Sequence, residues 1–352
     1  MKILVTGKYE PDYNRNYVLL RGLKNQRIEL VEYPYLKRDR ETKSEISRLV
    51  NDCDLVFLPS FTHLDVPFIR KITGKLLVFD PLISRYLSKV FDYKTVWKYS
   101  PRAYKNYLKD SKAFRRSDLI LADTRSHRDY YIRKFGVDPE KISVVYVGVC
   151  THDFYPGEND NNESGKTVVG FYGSFIPLHG IAKIISAAKI LEERQDIEFR
   201  LYGDGPGHEK IRELINRLRL KNTFLEGWVD YKSLQKVISR MDICLGIFGD
   251  SLKADLVIPN KIFHYSACRK PVITANTTGI KEIFEDGSNI VLINNDANSL
   301  ANSILKIADN PGFRSEVAGN AFELITRDYN ENKIARSFIE AVNRTILSCN
   351  SH

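Results

Sequence analysis

The stretch ADLVIPNKIFHYSACRKPVIT, residues 254–274, holds the pattern on which the fold turns. An apolar run stops at Pro259, a helix opens through Asn260 and Lys261, and a second apolar run closes the segment at Thr274. Proline suits the first helical position because its missing N–H has no helical partner there anyway. The next N–H groups point outward with the positive end of the helix dipole, and Lys261 adds a whole charge beside them. Such a terminus holds a phosphate; the same residues also suit an ordinary helix between two buried strands. His264 stands one turn in.

Short apolar runs alternate with helix-length amphipathic stretches on both sides of this segment. Before it stand KILVTG, RIELVEY, CDLVFLP, GKLLVFD, DLILAD and KISVVYVG. A polar, Gly- and Asn-rich stretch, PGENDNNESGK (Pro156 to Lys166), interrupts the series as a linker. TVVGFYGSF, IEFRLYGDG, NTFLEGWV, ICLGIF, KPVITAN and NIVLIN then resume it. Strand–helix alternation of this kind predicts parallel sheets with helices on both faces. The chain therefore reads as α/β, with two doubly wound Rossmann-like domains facing across a cleft at the carboxyl ends of their strands.

With 352 residues, 43% hydrophobic and 28% charged, the composition is that of a globular protein of two domains. The first strand-like run begins at Lys2 and no apolar run nears the ~18 residues of a membrane span, so neither a signal peptide nor a transmembrane helix is expected. Five scattered cysteines form no C-x-x-C pair, which predicts a reducing, cytoplasmic setting and no metal site. The net charge of +9 is uneven: from Arg85 to Arg116 ten Lys/Arg face two Asp. Ser100-Pro101 starts a helix on which Arg102, Lys105, Lys109, Lys112 and Arg116 recur at spacings of three and four, with Trp97, Tyr104 and Tyr107 nearby. The stripe suits an acceptor or an anionic membrane surface, or is a solvated helix face. No nucleic-acid motif accompanies it, and nucleic acid is not expected as a partner.

Glycines end several strands where backbone can approach a ligand closely. Gly7 ends the first. Gly173 ends TVVGFYG, with Ser174 and His179 bracketing the loop before the next helix. Gly203 and Gly205 repeat the arrangement in YGDGPG. Hydroxyl, imidazole and free N–H groups of this kind suit a diphosphate.

In order and spacing, GFYGSF…HG…AAKIL, FRLYGDGP, FLEGWVDYKSLQKVISRMDICLGIF and IPNKIFHYSACRKPVITANTTGIKEIFEDGSNIVLI resemble the nucleotide-sugar domain of glycosyltransferase family 4, over roughly Val168 to Phe322. The resemblance implies the GT-B fold and a retaining glycosyltransferase of hexosyl type. Residues 1–160 would bind the acceptor, 161–330 the nucleotide sugar, and a closing helix at 331–352 would pack back toward the first domain. It implies a UDP- or GDP-type sugar as co-substrate, with no separate cofactor or metal, and a glycan or lipid-linked acceptor. It points to cell-surface polysaccharide synthesis at the inner face of the membrane. By position it assigns donor binding to Gly7, Gly173, Ser174, His179, Gly203, Gly205, Asn260, Lys261 and Glu282, and catalysis to Asp80 and His264. Two departures stand out. The family's basic pair is replaced by Ser174 and His179, and its two glutamates by Leu256 and His264. These leave open a non-catalytic nucleotide-sugar-binding relative, or a sugar-nucleotide epimerase.

Overall fold

The computed structural model describes residues 1–157 and 165–350. Residues 158–164 of the expected linker, and with them the expected boundary at 160, lie outside the described residues. The chain forms two units, one of Met1–Gly148 with Tyr329–His352 and one of Val149–Asp328.

The first unit runs β1 (Lys2–Gly7), α1 (Asn14–Asn25), β2 (Glu29–Pro34), α2 (Arg40–Leu49), β3 (Leu55–Leu58), α3 (Val66–Ile69), β4 (Leu76–Phe79), α4 (Pro101–Arg116), β5 (Leu119–Ala122), α5 (Arg125–Phe135) and β6 (Ile142–Val144). All six strands are parallel, in the order β2-β1-β3-β4-β5-β6. β3 and β5 are buried on both faces, which is why their sequences are unbroken apolar runs.

The second unit runs β7 (Thr167–Tyr172), α6 (Ile181–Ile190), β8 (Ile197–Tyr202), α7 (His208–Leu218), β9 (Thr223–Gly227), α8 (Tyr231–Ser239), β10 (Ile243–Leu245), α9 (Leu252–Leu256), α10 (Asn260–Ala267), β11 (Val272–Ala275), β12 (Val291–Ile293), α11 (Ala297–Ala308) and α12 (Pro311–Asp328). Its sheet is parallel as well, in the order β12-β11-β10-β7-β8-β9. The chain ends in α13 (Glu331–Asn350), which packs on α1 and sets Phe338 against Phe57 of β3, ring centroids 5.2 Å apart.

The expected doubly wound α/β architecture is the one found, and each of the twelve apolar runs contains a strand. Each sheet has a switch point, where successive connections leave in opposite directions and open the crevice at the strand ends. In the first sheet it lies between β1 and β3; in the second, between β7 and β10.

Candidate functional site

At the switch point of the second sheet, three loops are laced together. The loop after β7 meets the loop after β8 through Phe175 N–H to Asp204 O at 2.8 Å and Gly207 N–H to Phe175 O at 2.8 Å. It meets the loop after β10 through Phe248 N–H to His179 O at 3.1 Å. Gly173 and Gly203 have φ of +144° and +143°, and a Cβ on Gly203 would fall 2.0 Å from the Gly173 carbonyl oxygen. Only glycine permits that conformation and that contact.

α10 brings Lys261 onto this floor. Pro259 is extended, with φ −71° and ψ 147°, and stands just before the helix, which begins at Asn260 with no side chain capping it. Proline therefore serves as the cap residue and not as the first helical residue. Lys261 is only 4% exposed, and its Nζ lies 3.9 Å from the centroid of the Phe171 ring. That ammonium has no hydrogen-bond partner among the described residues. A Cβ on Gly173 would sit 2.8 Å from Lys261 Nζ and 3.1 Å from His179 Cε1, so the three residues converge on one spot. The His179 Nδ1–H donates to the Ser174 carbonyl, which leaves Nε2 as the nitrogen that can take a proton.

Burial holds the Lys261 ammonium well below its ordinary value. Burial, and then the Lys261 charge, does the same to His179. Two bases thus share a buried site with no carboxylate in an ion pair to either among the described residues. An anion there would restore the proton affinity of both. Lys253 on α9, which the sequence reading passed over, is also buried and adds its charge to the field at His179. Nothing in its local pattern signals this, because α9 packs on the turn at Pro177–His179, which is distant in sequence.

The structure brings Gly173, Ser174, His179, Gly203 and Lys261 together, with Gly205 and Asn260 on the adjoining loop and helix start. Glu282 is half-buried on the turn after β11, where its N–H donates to Gly279 O at 3.1 Å. Gly7 ends β1 in the other unit, beside Thr62 at that sheet's switch point. Among the described residues no group of three or more His, Cys, Asp or Glu is placed to hold a metal ion.

Two expected catalytic residues hold other positions. His264 is 2% exposed and lies flat on Phe154, centroids 3.8 Å apart and planes 10° from parallel. Tyr172 flanks it, with 2.5 Å between its hydroxyl and His264 Nδ1. Burial lowers the imidazole to about 3, so the ring is neutral at physiological pH. His264 is thus packed inside the unit, with Phe154 over one face and the Tyr172 hydroxyl at its edge, at odds with an expected contact to a donor. Phe154 and Tyr172 were not legible as its partners, since they lie far from it in sequence.

Asp80 is equally committed. Its Oδ2 accepts Arg15 Nε at 2.7 Å and its Oδ1 accepts the Leu82 N–H at 2.8 Å, with both charged side chains buried. A carboxylate held on both oxygens is a buried counter-ion, and the catalytic role expected of Asp80 finds no support in this geometry. Thr124 caps α5, accepting the His127 N–H at 3.0 Å, while Asp123 pairs with His127 Nδ1. The basic stripe lies along α4, with Arg102, Lys105 and Lys112 exposed and Lys109 half-buried.

Residues 166–310 match the family model described as glycosyl transferases group 1. An uncharacterized glycosyltransferase of Methanocaldococcus jannaschii is 30% identical over 188 residues, 51% of this chain and 47% of that protein. The chain spans about half the length of the curated relatives it matches. Among solved structures, Anabaena HepE in complex with UDP and glucose is similar with a TM-score of 0.76 at 17% identity, covering 97% of this chain and 99% of that one. Sucrose-phosphate synthase from Thermosynechococcus elongatus gives 0.78 at 14% identity, over 99% and 100%. Residues 166–310 are thus similar to the glycosyltransferase group 1 family, in a chain whose two parallel-sheet units match the GT-B fold.

Proposed function

We propose that the chain is a retaining glycosyltransferase of family 4 type, moving a hexosyl group from a nucleoside-diphosphate sugar to a glycan or lipid-linked acceptor. One observation carries the reading: Lys261 and His179 are buried together at the switch point, and neither has an acidic partner among the described residues. A diphosphate supplies the missing charge. Lys261, His179 and the free N–H groups at the start of α10 neutralise the charge that grows on the leaving diphosphate, while Gly173 and Gly203 let it approach the backbone. UDP, present in the HepE complex, is the first base to try.

Because burial and the Lys261 charge hold His179 below its ordinary proton affinity, diphosphate binding takes up a proton there. Calorimetry of UDP in buffers of different ionisation enthalpy reads this directly, with UMP as the control. Equal binding of UDP and UMP, without proton uptake, would overturn the reading.

The packing of His264 favours a second reading, a donor-binding relative that does not transfer. The family's glutamate position is here occupied by a buried ring stacked on Phe154 and hydrogen-bonded to the Tyr172 hydroxyl. Tight UDP-sugar binding with neither hydrolysis nor transfer to any glycan or lipid acceptor would select it.

A further inference from the structure

The first unit exposes an apolar, basic surface that the donor site does not use. Five large apolar side chains between Tyr93 and Leu108 are exposed: Tyr93, Trp97 (71%), Tyr99 (71%), Tyr104 (62%) and Leu108. Trp97 and Tyr99 stand on the loop before α4, centroids 5.4 Å apart, and Tyr104 stacks on Tyr107 at 6.3 Å one turn into the helix. Lys94, Lys98, Arg102 and Lys105 project among them, Lys98 Nζ lying 5.3 Å from the centroid of the Tyr99 ring.

The acids of this segment are turned inward. Asp92 and Asp110 are both buried. Asp110 Oδ2 accepts the Ser84 hydroxyl at 2.7 Å and the Tyr86 N–H at 2.9 Å, which ties α4 to the loop after β4. The exposed charge between Tyr93 and Leu108 is therefore of one sign, on a helix start fixed by the Ser100 cap and the Asp110 anchor.

We infer that this surface docks on an anionic lipid bilayer, with Trp97, Tyr99 and Tyr104 at headgroup level and Lys94, Lys98, Arg102 and Lys105 against lipid phosphates. Tryptophan and tyrosine favour that depth because one edge is polar and the body apolar. Basic side chains are drawn to the negative surface potential. Leu108 and the exposed rings of the loop add aliphatic and aromatic contact that lipid rewards and a nucleic acid does not. No helix among the described residues is long and apolar enough to cross a membrane, so the contact is interfacial. The inference does not rest on the donor reading and can fail without affecting it.

The full chain has two tryptophans, so Trp228→Phe leaves Trp97 as a sole reporter. Flotation with phosphatidylcholine vesicles, and with vesicles that also contain phosphatidylglycerol, tests the inference. At low salt the chain should float only with the second kind. Trp97 emission should shift blue, and lipids brominated on their chains should quench it. Lys98→Glu with Lys105→Glu should weaken partition by at least about twentyfold, since each charge is worth about fivefold at an anionic surface. Trp97→Ser should weaken it while circular dichroism and melting stay as in wild type. The inference is overturned if the wild type ignores anionic vesicles, binds neutral ones equally, or binds with Trp97 unshifted. It is also overturned if the charge variants float normally but lose binding to a single-stranded oligonucleotide.

Discussion

The two sheets offer the same crevice at their strand ends and fill it with opposite electrostatics. In the first unit three buried acids each hold a base: Asp80 holds Arg15, Asp65 holds Arg38 and the Tyr35 hydroxyl, and Asp123 holds His127, while His63 is buried with neither ring nitrogen hydrogen-bonded among the described residues. In the second, Lys261 and His179 are buried with no such partner among the described residues. A paired charge is finished by folding itself. An unpaired buried cation is paid for by the rest of the fold and is relieved when an anion arrives. Unpaired buried bases of this kind suit a charged ligand at the second switch point.

The largest effect should come from breaking a finished pair. Asp80→Ala leaves Arg15 buried and uncompensated, and should lower stability by about 3–5 kcal/mol in denaturant melts. Replacing both, Arg15→Met with Asp80→Leu, should recover most of that loss. If Asp80→Ala proves neutral, the first crevice is not electrostatically closed and the contrast collapses.

Next comes the His264–Phe154 stack. His264→Ala uncovers the face of Phe154, leaves the Tyr172 hydroxyl without that partner, and should cost about 2–4 kcal/mol, in the range of large-to-small core changes. Phe154→Ala should cost a similar amount, and the double variant less than the sum, because the two rings share one contact. His264→Glu should destabilise further, by burying a carboxylate against apolar rings. A His264→Ala variant that melts like wild type but no longer binds UDP would return this residue to the donor site.

Lys261→Met should act in the opposite sense from Asp80→Ala. The unliganded chain should be as stable as wild type or more so, because a buried charge is replaced by an apolar side chain of similar volume. UDP affinity should fall by about 1.5–3 kcal/mol, the usual range for a hydrogen bond to a charged group. Unchanged UDP affinity would place the diphosphate elsewhere.

A further contrast, spread over several pH units, concerns acid. Burial lowers both His264 and His63 to about 3, while an unfolded histidine titrates near ~6.5. The unfolded chain therefore binds protons below pH ~6.5 that the folded chain refuses until about pH 3. Stability is full above ~6.5 and falls through that window by at most about 1.4 kcal/mol per pH unit per histidine. In the first unit Asp110, raised by burial to about 6, has the opposite sign: its folded form takes up a proton before its unfolded form does. It offsets His63, whereas His264 and His179 in the second unit have no such counterweight. Acidification from pH 6 to 4 should thus loosen the second unit first. Single-tryptophan variants that retain either Trp97 or Trp228 report the two units separately, and simultaneous loss of both signals would remove the asymmetry.

Much of the fold is legible in the sequence. The apolar runs mark the strands among the described residues, most plainly β3, β5, β10 and β11, because a strand covered on both faces has little room for polar residues, while the edge strands β2 and β9 keep acids. Gly173 and Gly203 mark strand ends because only glycine adopts that backbone so close to a neighbouring loop. Ser100-Pro101 marks a helix start because capping is a local interaction, and Pro259 marks another because proline does not continue a helix from the preceding chain. What the side chains at those places do was settled by residues distant in the chain. Lys261 is a buried cation because β7 sets Phe171 beneath it, and Asp80 is a counter-ion because α1 delivers Arg15. His264 is a packing residue because the chain at Phe154 folds over it. Propensity and period act over a few residues and so are written in the sequence. Burial and charge pairing depend on which segments the fold brings together, and only the tertiary structure decided those.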